Sequence, residues 1–148
     1  LSQILDKYTV HFYGHSDCDD ILEEYSLKYP GHVKSHGLVT HQEAMDAIAE
    51  ADILLSIGNA HTQMAPSKIF EQMSSGKPII HTYAENTDPC LPELQKYGNA
   101  LCVDINHVGE ADLSGFVSNL RNLDNEELAQ KFKEATAAYS IDIFTEKQ

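Results

Sequence analysis

Lys68 and Glu71 stand three residues apart within Pro66-Ser-Lys-Ile-Phe-Glu71-Gln-Met-Ser-Ser-Gly76, a spacing that sets both on neighbouring positions of one helix surface. A lysine there can meet a phosphate, and a carboxylate can accept hydrogen bonds from two adjacent hydroxyls. The surrounding residues specify the helix that would carry them. Pro66 suits a first helical turn and Ser67 is expected to cap it. Ile69, Phe70 and Met73 form one apolar stripe, and Gly76 is placed to stop the helix. A helix N-terminus leaves N–H groups free and favours anions, so Lys68 and Glu71 beside it outline a corner for phosphate and sugar. The plain alternative for Glu71 is a surface ion pair with Lys68 or Lys77, which contributes little stability.

The elements that must position this corner alternate along the chain. Thr9 to Tyr13 reads as a strand ended by Gly14, and Asp17 to Tyr29 as a helix stopped by Pro30-Gly31. His32 to Val39 reads as a second strand. Thr40 is placed to cap a helix over His41 to Ala51, and Asp52 to Ile57 follows as a nearly continuous apolar strand, read as buried. After the Pro66 helix come a strand at Pro78 to Tyr83, a short helix around Leu91 to Tyr97 and a strand at Ala100 to Val103. Helices are expected at Ala111 to Asn122 and from Asn125 to about Tyr139. Strands alternating with helices imply an α/β fold with a mostly parallel sheet covered on both faces. Ligands in such folds bind outside the carboxyl ends of the strands, which selects Gly14, Gly37 to Thr40, Gly58 to Pro66 and Tyr83 to Pro89.

Composition narrows the function. At 148 residues, 42% hydrophobic and 22% charged, the chain fits one globular domain with a real core. Its longest apolar run, Ile53 to Ile57, has strand length, far short of a membrane span. A formal net charge of −13 opposes nucleic acid or anionic lipid as a partner. Cys18, Cys90 and Cys102 are odd in number and widely spaced, so no disulfide framework or structural zinc motif is expected, and a cytoplasmic setting fits. The eight histidines show no H-E-x-x-H or comparable spacing, so the sequence assigns no metal; His15 and His61 follow strands and face the cleft in this reading. Neither the Gly-x-x-x-x-Gly-Lys loop nor the Gly-x-Gly-x-x-Gly loop is present, which argues against an ATPase or a dehydrogenase.

The stretch from Pro66 to Ile80 resembles the donor-binding lobe of GT-B retaining glycosyltransferases, the large group that includes sucrose and mannosyl transferases. Thr9 to Gly14, Gly37-Leu-Val39, Ala51-Asp-Ile-Leu-Leu55 and Ala138-Tyr-Ser140 fall in the order seen in that lobe. The resemblance implies a Rossmann-like three-layer α/β/α domain over residues 1–148, the C-terminal half of a GT-B fold. It implies transfer of a hexose from a nucleotide diphosphate sugar, the donor substrate, with no further cofactor. The acceptor, not identified, would be held by an N-terminal lobe outside this sequence, which would also supply any peripheral membrane contact. The first strand of the donor lobe is expected upstream of Leu1, so this piece is expected to bind rather than turn over.

Site residues carry over by position. Glu71 matches the glutamate that binds the donor ribose. Met64, Ala65, Pro66, Ser67 and Lys68 match the loop and helix start that approach the diphosphate and sugar. Leu38 and Val39 match the backbone that meets the base, and Gly14 permits close approach of the chain to a ligand. Many members carry two glutamates with seven residues between them, and here the first position is Gln63. An amide hydrogen-bonds a sugar but does not stabilise positive charge, so no catalytic residue is assigned. The rival reading is a non-catalytic binding or regulatory module that keeps the fold. A receiver-type signalling domain would need an acidic cluster where Gly14 and Gly58-Asn59 stand.

Overall fold

The computed structural model describes residues 7–58, 64–131, 133 and 134. Its described strands are all paired in parallel, in two sheets, and helices alternate with them. This is the expected Rossmann-like α/β class. The chain forms two compact units, Leu1–Ala47 and Ile48–Gln148.

In the first unit, β1 (Val10–Phe12) pairs with β2 (Val33–Ser35), with Val10 opposite Val33 and Phe12 opposite Ser35. Between them runs α1 (Asp19–Lys28), whose early Asp19 and Asp20 and late Lys28 complement the helix dipole. After β2, α2 (His41–Glu50) opens on a reciprocal cap. The Glu43 amide donates to Thr40 Oγ1 at 3.2 Å, while the Thr40 amide and hydroxyl donate to Glu43 Oε2 at 2.7 and 2.8 Å. The expected Thr40 cap is therefore present. Strand β2 is shorter than the expected His32 to Val39.

The second unit holds the core. Strands β3 (Leu54–Ile57), β4 (Ile79–Tyr83) and β5 (Ala100–Asp104) lie in the order β3-β4-β5. Helix α3 (Ser67–Ser74) connects β3 to β4, and α4 (Cys90–Tyr97) connects β4 to β5. Leu54, Ile69, Met73, Ile79, Leu94 and Tyr97 pack into one cluster, each buried side chain contributing about 1.5–3 kcal/mol. Gly76 turns the chain out of α3 with φ +71°, and its carbonyl accepts from the Leu123 amide at 3.0 Å and from Asn99 Nδ2 at 3.3 Å. That junction ties the segment after α5 (Leu113–Ser118) to the start of β4.

Three expectations need correction. The apolar run at β3 is not buried throughout: Leu54 points into the core, whereas Leu55 is 48% and Ile57 76% exposed. Successive side chains of a strand point to opposite faces, and here the face with Leu54 packs on the core while the face with Leu55 and Ile57 is left exposed. Ser67 is the first helical residue rather than the cap; extended Pro66 occupies the cap position, and no side chain caps the turn. The helix expected over Ala111 to Asn122 is reduced to α5, preceded by a 3₁₀ turn at Val108–Glu110 and begun by Asp112, whose carboxylate accepts from the Gly115 amide. The last helix is present over 125–131, and its expected continuation to Tyr139 and the Ala138-Tyr-Ser140 match lie outside the described residues.

Candidate functional site

The N-terminal turn of α3 follows the carboxyl end of β3, the position at which parallel α/β sheets bind ligands. Pro66 has φ −66° and ψ 147°, so the chain arrives extended and turns into the helix at Ser67. The Ile69 amide donates to the Pro66 carbonyl at 3.1 Å, and the Ser67 and Lys68 amides form no hydrogen bond with another described residue. Ser67, Lys68 and Glu71 are exposed around this turn. Neither Lys68 nor Glu71 forms an ion pair or a side-chain hydrogen bond with another described residue, so the surface pair with Lys68 or Lys77 is absent. Ile69 and Met73, one and two residues away from the exposed set, are fully buried and hold the helix in place.

The other candidates divide by unit. Met64 is 69% exposed beside the α3 turn, whereas the Ala65 side chain is buried in the core, leaving only its backbone to approach a ligand. Gln63 and His61 lie outside the described residues. In the first unit, the Gly14 amide donates to the Gly37 carbonyl at 2.7 Å, joining the two loops that leave β1 and β2 at their carboxyl ends. Gly14 has φ +114°, a conformation that few other residues adopt, so this link depends on glycine. Leu38 is 82% exposed and Val39 is half-buried just beyond it. A cavity on this unit is lined by Asp19, Glu23, Lys34, His36 and Gly37, and its two carboxylates make it unsuited to a diphosphate. His15 faces Asp19 at 3.3 Å.

A second polar constellation was not anticipated from the sequence. The side chains of Ser56 on β3, His81 on β4 and Cys102 on β5 are register partners and share one face of the sheet. His81 Nδ1 lies 3.0 Å from Ser56 Oγ, and His81 Nε2 lies 3.3 Å from Asp88 Oδ2. Asp88 also accepts the Cys90 amide on Oδ1 at 2.8 Å, which fixes the start of α4. His81, Asp88 and Cys90 are all buried. Burial, and then the Asp88 carboxylate, pushes the Cys90 thiol up to about 12, and burial raises the Cys102 thiol as well. Both therefore carry their protons at neutral pH and are poor nucleophiles in this state. A histidine inside an apolar strand and an aspartate before Pro89-Cys90 were visible as isolated signals; their meeting required the sheet register.

No family model matches the chain, and no curated protein matches it. Among solved structures, it is similar to the crystal structure of AviGT4, a glycosyltransferase involved in avilamycin A biosynthesis, with a TM-score of 0.56 and 16% identity. The match covers 87% of this chain and 37% of that one, so the chain spans well under half the length of its structural neighbour. At this identity the likeness shows the fold: a Rossmann-like α/β arrangement shared with a glycosyltransferase. No described helix is long and apolar enough to cross a membrane.

Proposed function

We propose that this chain is the donor-binding lobe of a nucleotide-sugar-dependent glycosyltransferase. The observation that carries the reading is the start of α3 without a side-chain cap, with Lys68 and Glu71 exposed three residues apart, unpaired among the described residues, after the carboxyl end of a parallel strand. The Ser67 and Lys68 amides and the Lys68 ammonium favour the diphosphate. Glu71 sits about 4.5 Å further along the helix axis, at about 1.5 Å per residue, and accepts hydrogen bonds from the two ribose hydroxyls. Leu38 and Val39 belong to the other compact unit and stand as candidates for the base through the family resemblance alone. The fold shared with AviGT4 supports this assignment without naming the donor.

In the whole enzyme, the sugar is placed against an acceptor held by a second lobe, and the leaving diphosphate is stabilised as its negative charge grows. Placement removes much of the entropic barrier, and oriented amides stabilise the charge without reorganising. Gln63 stands where a carboxylate is common, so this position contributes hydrogen bonding to the sugar rather than charge. The donor is tested by following backbone amide shifts on addition of UDP, GDP, ADP and dTDP. The reading expects one nucleotide to shift residues 37–40 and 64–71 selectively; no shift with any of them at millimolar concentration contradicts it.

A further inference from the structure

His81, Asp88 and Cys90 each offer one ligating atom, and the three atoms lie within 4.8 Å of one another in the interior. We propose that His81 Nε2, Asp88 Oδ2 and Cys90 Sγ form a buried site for a divalent ion of the zinc type. The separation of the first two atoms supports it. Tetrahedral coordination with metal–N and metal–O distances of about 2.0–2.2 Å sets neighbouring donors about 3.3–3.5 Å apart. His81 Nε2 and Asp88 Oδ2 are 3.3 Å apart, long for a direct imidazole–carboxylate hydrogen bond, which is usually about 2.7–2.9 Å.

The surroundings complete the arrangement. His81 Nδ1 meets Ser56 Oγ at 3.0 Å, so an Nδ1–H donated to that hydroxyl leaves the Nε2 lone pair directed at the ion. The Cys90 amide on Oδ1 orients the carboxylate and leaves Oδ2 for the metal. Gly58 lines the same spot: a Cβ there would overlap Asp88 Oδ2 and lie 3.3 Å from His81 Nε2, so glycine keeps the space open. On binding, the thiol proton of Cys90 leaves to solvent and the sulfur forms the metal bond as a thiolate. A His-Asp-Cys donor set with a thiolate suits zinc or cobalt(II) and disfavours magnesium or calcium.

The test is a cobalt(II) titration of the chelator-treated, folded protein, read by visible and near-ultraviolet absorption. One equivalent should produce d–d bands and a sulfur-to-cobalt charge-transfer band, both displaced by zinc. Cys90→Ala should abolish the charge-transfer band, Ser56→Ala should weaken binding by about tenfold through loss of the ring's partner, and Cys18→Ala, at an exposed thiol, should leave the spectrum unchanged. Absence of saturable cobalt or zinc binding by the wild-type protein would overturn the proposal regardless of how any variant folds. A charge-transfer band that survives in Cys90→Ala would overturn the ligand assignment.

Discussion

The Tyr97 hydroxyl donates to the Lys77 carbonyl at 2.8 Å from a side chain with no exposed surface. Burial pushes its pKa up to about 12 from an ordinary 10. A group whose pKa rises on folding stabilises the fold fully below its unfolded pKa and loses that contribution as pH rises through the folded one. Thermal stability should therefore fall between pH 10 and about 12, and Tyr97→Phe should flatten this limb while costing about 1 kcal/mol at neutral pH. Denaturation melts across that range check both. Gly58→Ala places a methyl group against Asp88 Oδ2 and 2.7 Å from the Thr82 carbonyl. The overlap should cost about 1–3 kcal/mol in urea unfolding. The exposed placement of Lys68 and Glu71 on α3 was legible because their spacing and the adjoining Pro66 define a helix surface locally. His81 was not, because Ser56 is 25 residues away and only strand pairing brings the two together.

At the scale of elements, the signals that survived are those with a local cause. The Thr40–Glu43 cap begins α2 where the residue types expect it, and Gly76 ends α3. Ser67 was misread because a proline entering in extended conformation already fills the cap position, displacing the serine into the first turn. Ile57 was misread because apolarity does not state whether both faces of a strand are covered. The Thr40 amide, and then its hydroxyl, holds the Glu43 carboxyl below the usual carboxylate range. Its pKa falls on folding, so the stabilisation is present above the unfolded value and is lost as pH drops through the folded one. Glu43→Gln should remove this part of the acid limb in melts recorded from pH 6 downward, while Thr40→Ala should cost about 1 kcal/mol at neutral pH by removing the acceptor for the Glu43 amide.

Taken whole, the chain is strongly acidic, so the diphosphate recognition proposed for the start of α3 would rest on local groups working against the net charge of −13. The alternation of strands and helices made the α/β class readable from the sequence; the division into two compact units at Ala47 was not, because it depends on which contacts form across the chain rather than on any linker composition. The claim that joins these features is that Glu71 holds the donor ribose. It is tested by measuring, from amide shifts, the affinities of the wild-type protein and Glu71→Ala for the preferred nucleoside diphosphate and for its 2′,3′-dideoxy analogue. The account predicts that the wild type binds the ribonucleotide about tenfold more tightly, as expected for two hydrogen bonds to a carboxylate, and that Glu71→Ala binds both ligands equally weakly with its fold intact; a variant that still prefers the ribonucleotide by the wild-type margin would contradict it.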